Sequence, residues 1–251
     1  TQYSKNYIES VGLLKMDFLG LKNLTILSYI LNNIEKYEGI RLNLNEIPLD
    51  DLKTFQMLEK GDTLGVFQLE SPGMTSFMKE LKPDCLEDLI AGVSLYRPGP
   101  MDQIPRYISN KKDPDHAVYT HDSLKPILKV TYGCMVYQEQ VMQIVRDLAG
   151  YSYGQSDNVR RAMSKKKAKE MERNRNIFIY GDESENIEGC IKRGIPEETA
   201  SKIYADMTDF AKYAFNKSHA AAYAVVSYQT AYLKYYYPKE FMAALLTSVM
   251  D

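Results

Sequence analysis

The sequence predicts a mainly α-helical chain that opens with a short strand segment. Three observations carry this. Apolar residues recur at i, i+3 and i+4 over most of the 251 residues, the spacing of one helix face. Capping and breaking residues divide that pattern into about ten helical segments. Only two stretches, residues 11–18 and "LGVFQLE" (64–70), read as strand.

Residues 11–18 read as strand because apolar residues lead into them and Asn23 looks like the cap of the next helix. That helix spans 24–37, with Leu24, Leu27, Ile30, Leu31 and Ile34 on one face, and stops at Gly39. A second follows Pro48, and the strand "LGVFQLE" comes next. In "SPGMTSFMKEL", Ser71 is placed as N-cap with Pro72 at the first helical position, a strong start signal. Further helices fit 84–94, 122–129, 137–149, 155–180, 196–210, 218–236 and 239–250. Proline and glycine set "LYRPGPM" (95–101) and "NKKDPDHA" (110–117) as loops.

Composition bounds the function classes. Hydrophobic residues make up 45% and charged residues 25%, the balance of an ordinary globular protein. No apolar run approaches the roughly 20 residues that span a bilayer, so no membrane partner is expected. Three scattered cysteines, Cys85, Cys134 and Cys190, make neither a disulfide framework nor a zinc knuckle, which fits a cytoplasmic setting. The net charge of −2 hides a polarity along the chain. Eight bases lie between Arg160 and Arg175, and four acids follow between Asp182 and Glu188. A near-neutral total therefore does not exclude a phosphate-binding face.

Candidate chemistry sits at three places. "LLKMDFLGLK" (13–22) sets one carboxylate, Asp17, among Leu13, Leu14, Met16, Phe18 and Leu19. A buried carboxylate needs a partner, and a helix cap, a salt bridge to Lys15 or Lys22, or a metal ion would each serve. On a continuous helix over 155–180, Arg161, Lys165, Lys169 and Arg173 at i+4 spacing form one stripe. It reads either as a phosphate cradle or as a solvated face. In "FNKSHAAAYAVV", Ser218 can cap the following helix, which puts Lys217 and His219 at an N-terminus that favours anions. Tyr223, Tyr228 and Tyr232 then recur about a turn apart, as core packing or as stacking groups. Weaker signals are Asp113 and Asp115 in a proline-broken loop, and His116 and His121 without ligand-spaced partners.

Six segments in order resemble one family. They are "KMDFLGLKNL" (15–24), "GVFQLES" with Gly73-Met74, "SLYRPGPM" (94–101), "YQEQVMQI" (137–144), "RRAMSKKK" (160–167) and "FNKSHAAAYAVVSYQTAYLKYYYPKEFMAALLTS" (215–248). Together they look like the bacterial DNA polymerase III alpha subunit, the C-family of replicative polymerases. "SLYRPGPM" is similar to the type without a built-in exonuclease. The resemblance implies a helical fingers domain over 25–251, preceded by the C-terminal part of a palm with its short strand segment over 1–24.

It also implies roles. Three palm aspartates of the family hold two Mg2+ ions, and Asp17 matches the third of them. Lys15, two residues earlier on the same strand face, would meet the triphosphate. The family's other two aspartates lie upstream as Asp-x-Asp, and no apolar strand here carries that pair. A cut-out of a longer enzyme, inactive alone, is therefore expected. Arg160, Arg161, Lys165, Lys217 and His219 are the implied triphosphate ligands, with Arg97, Gln68 and Ser71 as pocket or positioning residues. Arg97 can instead brace its proline-rich turn. Implied partners are primer–template DNA, deoxynucleoside triphosphates and other replicase subunits, among them the sliding clamp through regions outside this chain. A helical nucleic-acid-binding module explains the basic stripe but not Asp17, and a protein scaffold explains the tyrosines but not "NKSH".

Overall fold

Local signals decide most of the helices. The computed structural model describes residues 2–14, 16, 20–164, 168–211 and 213–250. Among the described residues are twelve α-helices and no strand, with two isolated bridges, Tyr137–Phe215 and Asp182–Ile187. The helical expectation holds and the strand expectation does not. Within 11–18, Val11 closes a 3-10 turn (Glu9–Val11) and Gly12 takes a φ of 75°, which breaks the extension a strand needs. Lys15, Asp17 and Phe18 lie outside the described residues. The stretch 64–70 folds as successive turns, with Val66 N–H donating to Thr63 and Leu69 N–H to Val66, both at 3.0 Å. Gly65 and Gln68 are left-handed there, at φ 72° and 62°, outside the extended range of a regular strand.

The chain forms two compact units, residues 1–43 with 237–251, and residues 44–236. In the first, α1 (Lys22–Glu38) packs on α12 (Pro238–Ser248), burying Ile26, Leu27, Ile30 and Ile34 on one side and Phe241 and Ala244 on the other. Gly39 ends α1 at φ 68°, as its sequence suggests, but Asn23 falls inside the first turn and Leu21 is the cap residue.

The second unit holds the remaining ten helices. Asp51 caps α2 (Leu52–Glu59), accepting from Thr54 N–H at 2.8 Å. Ser71 caps α3 (Pro72–Leu81), accepting from Met74 N–H at 3.3 Å. The adjoining α4 (Leu86–Leu95) is buried along its length from Asp88 to Leu95. It lies against α11 (Lys217–Tyr236), whose buried Ala220, Ala224, Ser227 and Ala231 follow at three- and four-residue steps. Small side chains at that spacing let two helix backbones come close.

A separate apolar core joins α6 (Lys125–Leu128), α7 (Gln138–Ala149), α8 (Tyr153–Ser164), α9 (Ala168–Tyr180) and α10 (Glu197–Ala211). The stretch 122–129 is not one helix: 3-10 turns flank the four-residue α6, because Pro126 and the left-handed Tyr132 and Gly133 break it. Helix α5 (Ile104–Lys112) runs into the expected loop at 110–117; it buries only Tyr107 and so leaves no periodic signal.

The larger correction concerns 155–180. Tyr151 Oη donates to the carbonyl of Asn174, and Gln155 Nε2 to that of Glu185. At 1.5 Å per residue, a single straight helix would hold such groups about 30 Å apart or more. The chain instead reverses, and α8 and α9 pack side by side. Past α9, Gly181 and Gly189 bring two backbones into contact at φ 87° and 79°. A Cβ at Gly189 would stand 2.3 Å from the Gly181 nitrogen. Gly189→Ala therefore loses about 2 kcal/mol or more of stability, from left-handed strain plus overlap with backbone that cannot yield. Urea denaturation measures it, and a loss under about 0.5 kcal/mol would contradict the close approach.

Candidate functional site: a cationic helix start

The bridge between Tyr137 and Phe215 ties the start of α7 to the start of α11. Gln138 N–H donates to the Phe215 carbonyl at 2.9 Å, and Gln138 Nε2 to the Ala214 carbonyl at 3.0 Å. Buried Gln140 fixes the approach, its Oε1 accepting from Val136 and Tyr137 N–H at 2.8 and 3.0 Å. Around this junction the structure gathers residues far apart in sequence. Arg160 of α8 donates from Nη1 to Gln138 Oε1 at 3.2 Å. Arg97 lays its guanidinium 3.7 Å over the Phe215 ring. Partial desolvation there lowers its pKa, although an arginine stays charged throughout. A cation on an aromatic face is the contact found, in place of a brace on turn carbonyls.

Asn216, not Ser218, caps α11: its Oδ1 accepts from His219 N–H at 2.9 Å and from Ser218 Oγ at 2.6 Å. Both oxygens of Glu139 lie 3.0 Å from Lys217 N–H. Two donors of this helix start are thus taken by the protein itself, and what it offers outward is mainly side chain. Lys217 Nζ stands 5.3 Å from the Tyr137 ring centre and 3.1 Å from Glu87. His219 lies between Phe215 and Tyr223, with ring centres 5.4 and 4.3 Å away. Phe67 extends the row to Tyr223 at 5.2 Å, which puts the exposed Gln68 on the adjoining turn. Tyr228 is core, its Oη accepting from Asp51 N–H at 2.8 Å.

Arg97, Arg160, Lys217 and His219 therefore converge, and Gln68 borders them. Ser71 spends its hydroxyl on the α3 cap. Arg161 is exposed beside Arg160, with Nε 2.7 Å from Asp157 Oδ2. Lys165 lies outside the described residues, as do Lys15 and Asp17. The continuous stripe does not exist. With α8 and α9 folded back, Arg173 pairs with Glu185, and Arg193 pairs with Glu188 at 2.5 Å. The acidic segment after α9 therefore neutralises nearby bases. Sequence reasoning missed Phe215, Gln138, Asp157 and Glu87. Of these, only Asp157, at i−3 and i−4 from the two arginines, carried a helical spacing signal.

Among the described residues, one group of three potential metal ligands is a poor match for magnesium. Asp84, Cys85 and Asp88 have ligand spacing. Yet Lys111 Nζ already sits 3.0 and 2.8 Å from the two carboxylates, and a thiol is a soft ligand for a hard ion. His116 pairs only with Asp113, at 2.7 Å, which raises its pKa. A cavity of about 400 Å³ bordered by Gly99, Arg106, Leu124, Met135, Phe210 and Tyr213 includes none of the converging cations.

Fold and site define a helical domain with basic groups gathered at one helix start. The chain belongs to the family described as the bacterial DNA polymerase III alpha subunit finger domain, whose model matches residues 23–186. It is 51% identical to DNA polymerase III subunit alpha of Thermus aquaticus over 98% of its length. Identity is 49% to the Bacillus subtilis protein of that name and 48% to that of Escherichia coli, each over the whole chain. The chain spans 20–22% of the length of these relatives. Among the described residues, no helix is long and apolar enough to cross a membrane.

Proposed function

We propose that this chain grips the triphosphate of an incoming deoxynucleotide as part of a replicative, template-directed DNA polymerase. The observation that carries the reading is the convergence of Arg97, Arg160, Lys217 and His219 on the Tyr137–Phe215 junction, within a domain of the polymerase finger family. Arg160 offers a planar fork that matches phosphate oxygens, and Lys217 a compact charge. Arg161 and Lys165 add charge beside Arg160. Arg97 and Phe215, with Gln68 on the neighbouring turn and Ser71 holding α3, shape the wall around it. In this reading residues 1–24 end the palm, where Asp17 is a Mg2+ ligand and Lys15 faces the triphosphate, and residues 25–251 are the fingers. Primer–template DNA and other replicase subunits, the sliding clamp included, are the partners, in the cytoplasm.

Lys217→Ala, placed in a polymerase carrying this domain, tests the assignment. Loss of one charge-assisted contact lowers kcat/KM for the nucleotide about tenfold. The salt dependence of DNA binding stays as it was, because other contacts hold the duplex. Unchanged nucleotide kinetics with weaker DNA binding and a shallower salt slope would reassign the site to the nucleic-acid backbone.

A further inference from the structure

Three cations at this site, Arg160, Arg161 and Lys217, are already paired with internal carboxylates. Asp157 Oδ1 accepts from Arg160 Nε at 2.8 Å and from Nη2 at 2.6 Å, while its Oδ2 lies 2.7 Å from Arg161 Nε. One carboxylate thus holds two guanidiniums. Glu87 holds the third cation, 3.1 Å from Lys217 Nζ, across 130 residues of sequence. On Arg160, Nε and Nη2 go to Asp157 and Nη1 to Gln138, so a phosphate that takes the Nε–Nη2 edge takes it from the carboxylate.

We propose that Asp157 and Glu87 are exchangeable counter-ions of the nucleotide site. They keep Arg160, Arg161 and Lys217 aligned until a triphosphate arrives, and then give up those donors to it. This deepens the triphosphate reading and rests on it. Exposure separates these pairs from fixed ones. The side chains of Asp157 and Glu87 are 28% and 43% exposed, so each can turn into water once released, although Glu87 Oε2 is covered while its pair holds. Asp88, 1% exposed against Lys111, has no such exit. Part-exposed ion pairs are weak, whereas a triphosphate brings several charges to the same donors at once. Arg160 also pulls the Asp157 carboxyl below its ordinary range, so it stays ionised and in competition at neutral pH. Affinity for the nucleotide is then an exchange constant, set by how tightly these two carboxylates hold.

Calorimetric titration of tripolyphosphate into the full chain tests this. Asp157→Asn keeps shape and one acceptor but removes the charge, and it should bind tripolyphosphate about two- to fivefold more tightly than the parent. Glu87→Gln should show a gain in the same direction, and each variant judges its own carboxylate. Circular dichroism confirms that both keep their helices. Arg160→Ala, run beside them, should bind more weakly. Equal or weaker binding by Asp157→Asn and Glu87→Gln, with Arg160→Ala still impaired, overturns the counter-ion role and leaves the triphosphate site standing. No saturable binding by any variant overturns both.

Discussion

Arg160→Ala in a polymerase carrying this domain lowers kcat/KM for the incoming nucleotide by about ten- to a hundredfold, the largest effect expected of any single cation here. Three properties set Arg160 apart. Its side chain is 22% exposed, so its contacts are less screened than those of Arg161 at 62%. Its fork can hold two phosphate oxygens at once. It is also the arginine hydrogen-bonded to Gln138, and through that residue to the start of α11. Arg160→Lys should recover part of the loss, because charge returns without the fork. DNA affinity should move by less than about twofold, since many phosphate contacts share that work. If Arg160→Ala leaves kcat/KM unchanged, Arg160 is a strut between α8 and the start of α7 and nothing more.

The second large effect falls on stability. Asp88 is buried at the start of α4, where it accepts from Lys111 Nζ at 2.8 Å and Asp84 N–H at 3.2 Å. Tyr107 and Tyr132 also donate to it, at 3.3 and 3.4 Å. Burial pushes its carboxyl pKa up, while its carboxylate and that of Asp84 raise Lys111. Asp88→Ala strips a buried cation and two phenols of their shared acceptor, and should cost about 3–4 kcal/mol in urea denaturation. Lys111 keeps Asp84 at 3.0 Å, which holds the loss below that of a fully stranded charge. Adding Lys111→Met to Asp88→Ala should return part of it, because the now under-compensated ammonium goes too. A loss under about 1 kcal/mol would mean that solvent reaches this network in the folded protein.

What could be read from the sequence was what is decided locally. Ser71 before Pro72 and Gly39 after α1 act through their own backbone, so their spacing suffices. The 64–70 stretch misled because Val66, Phe67 and Leu69 are apolar for tertiary reasons: each is buried in a turn that neighbouring helices cover. Residues 155–180 misled in the opposite way. Helix-compatible residues fill the segment throughout, and the reversal is set by distant partners such as Tyr151 and Asn174. One wrong helix then produced a false stripe, since i+4 spacing means a shared face only on a continuous helix. At the site, "NKSH" was readable as a helix start, while the choice of Asn216 over Ser218 turned on two residues of register. The pairing of Glu87 with Lys217 had no local trace at all.

The Tyr137–Phe215 bridge makes assembly of the site depend on one long-range closure. Its partners are joined across 78 residues, so the loop between them must close before either hydrogen bond can form. Helices α7 and α11 can each exist before that closure, but the cationic cluster cannot. Opening of this one joint would scatter Arg160 from Lys217 while leaving both helices intact. The amide hydrogens of Gln138 and Phe215 thus report on the assembled site directly. Their exchange with solvent should be faster than that of Ile144 or Tyr228, deep in the same helices, and should slow when an anion binds.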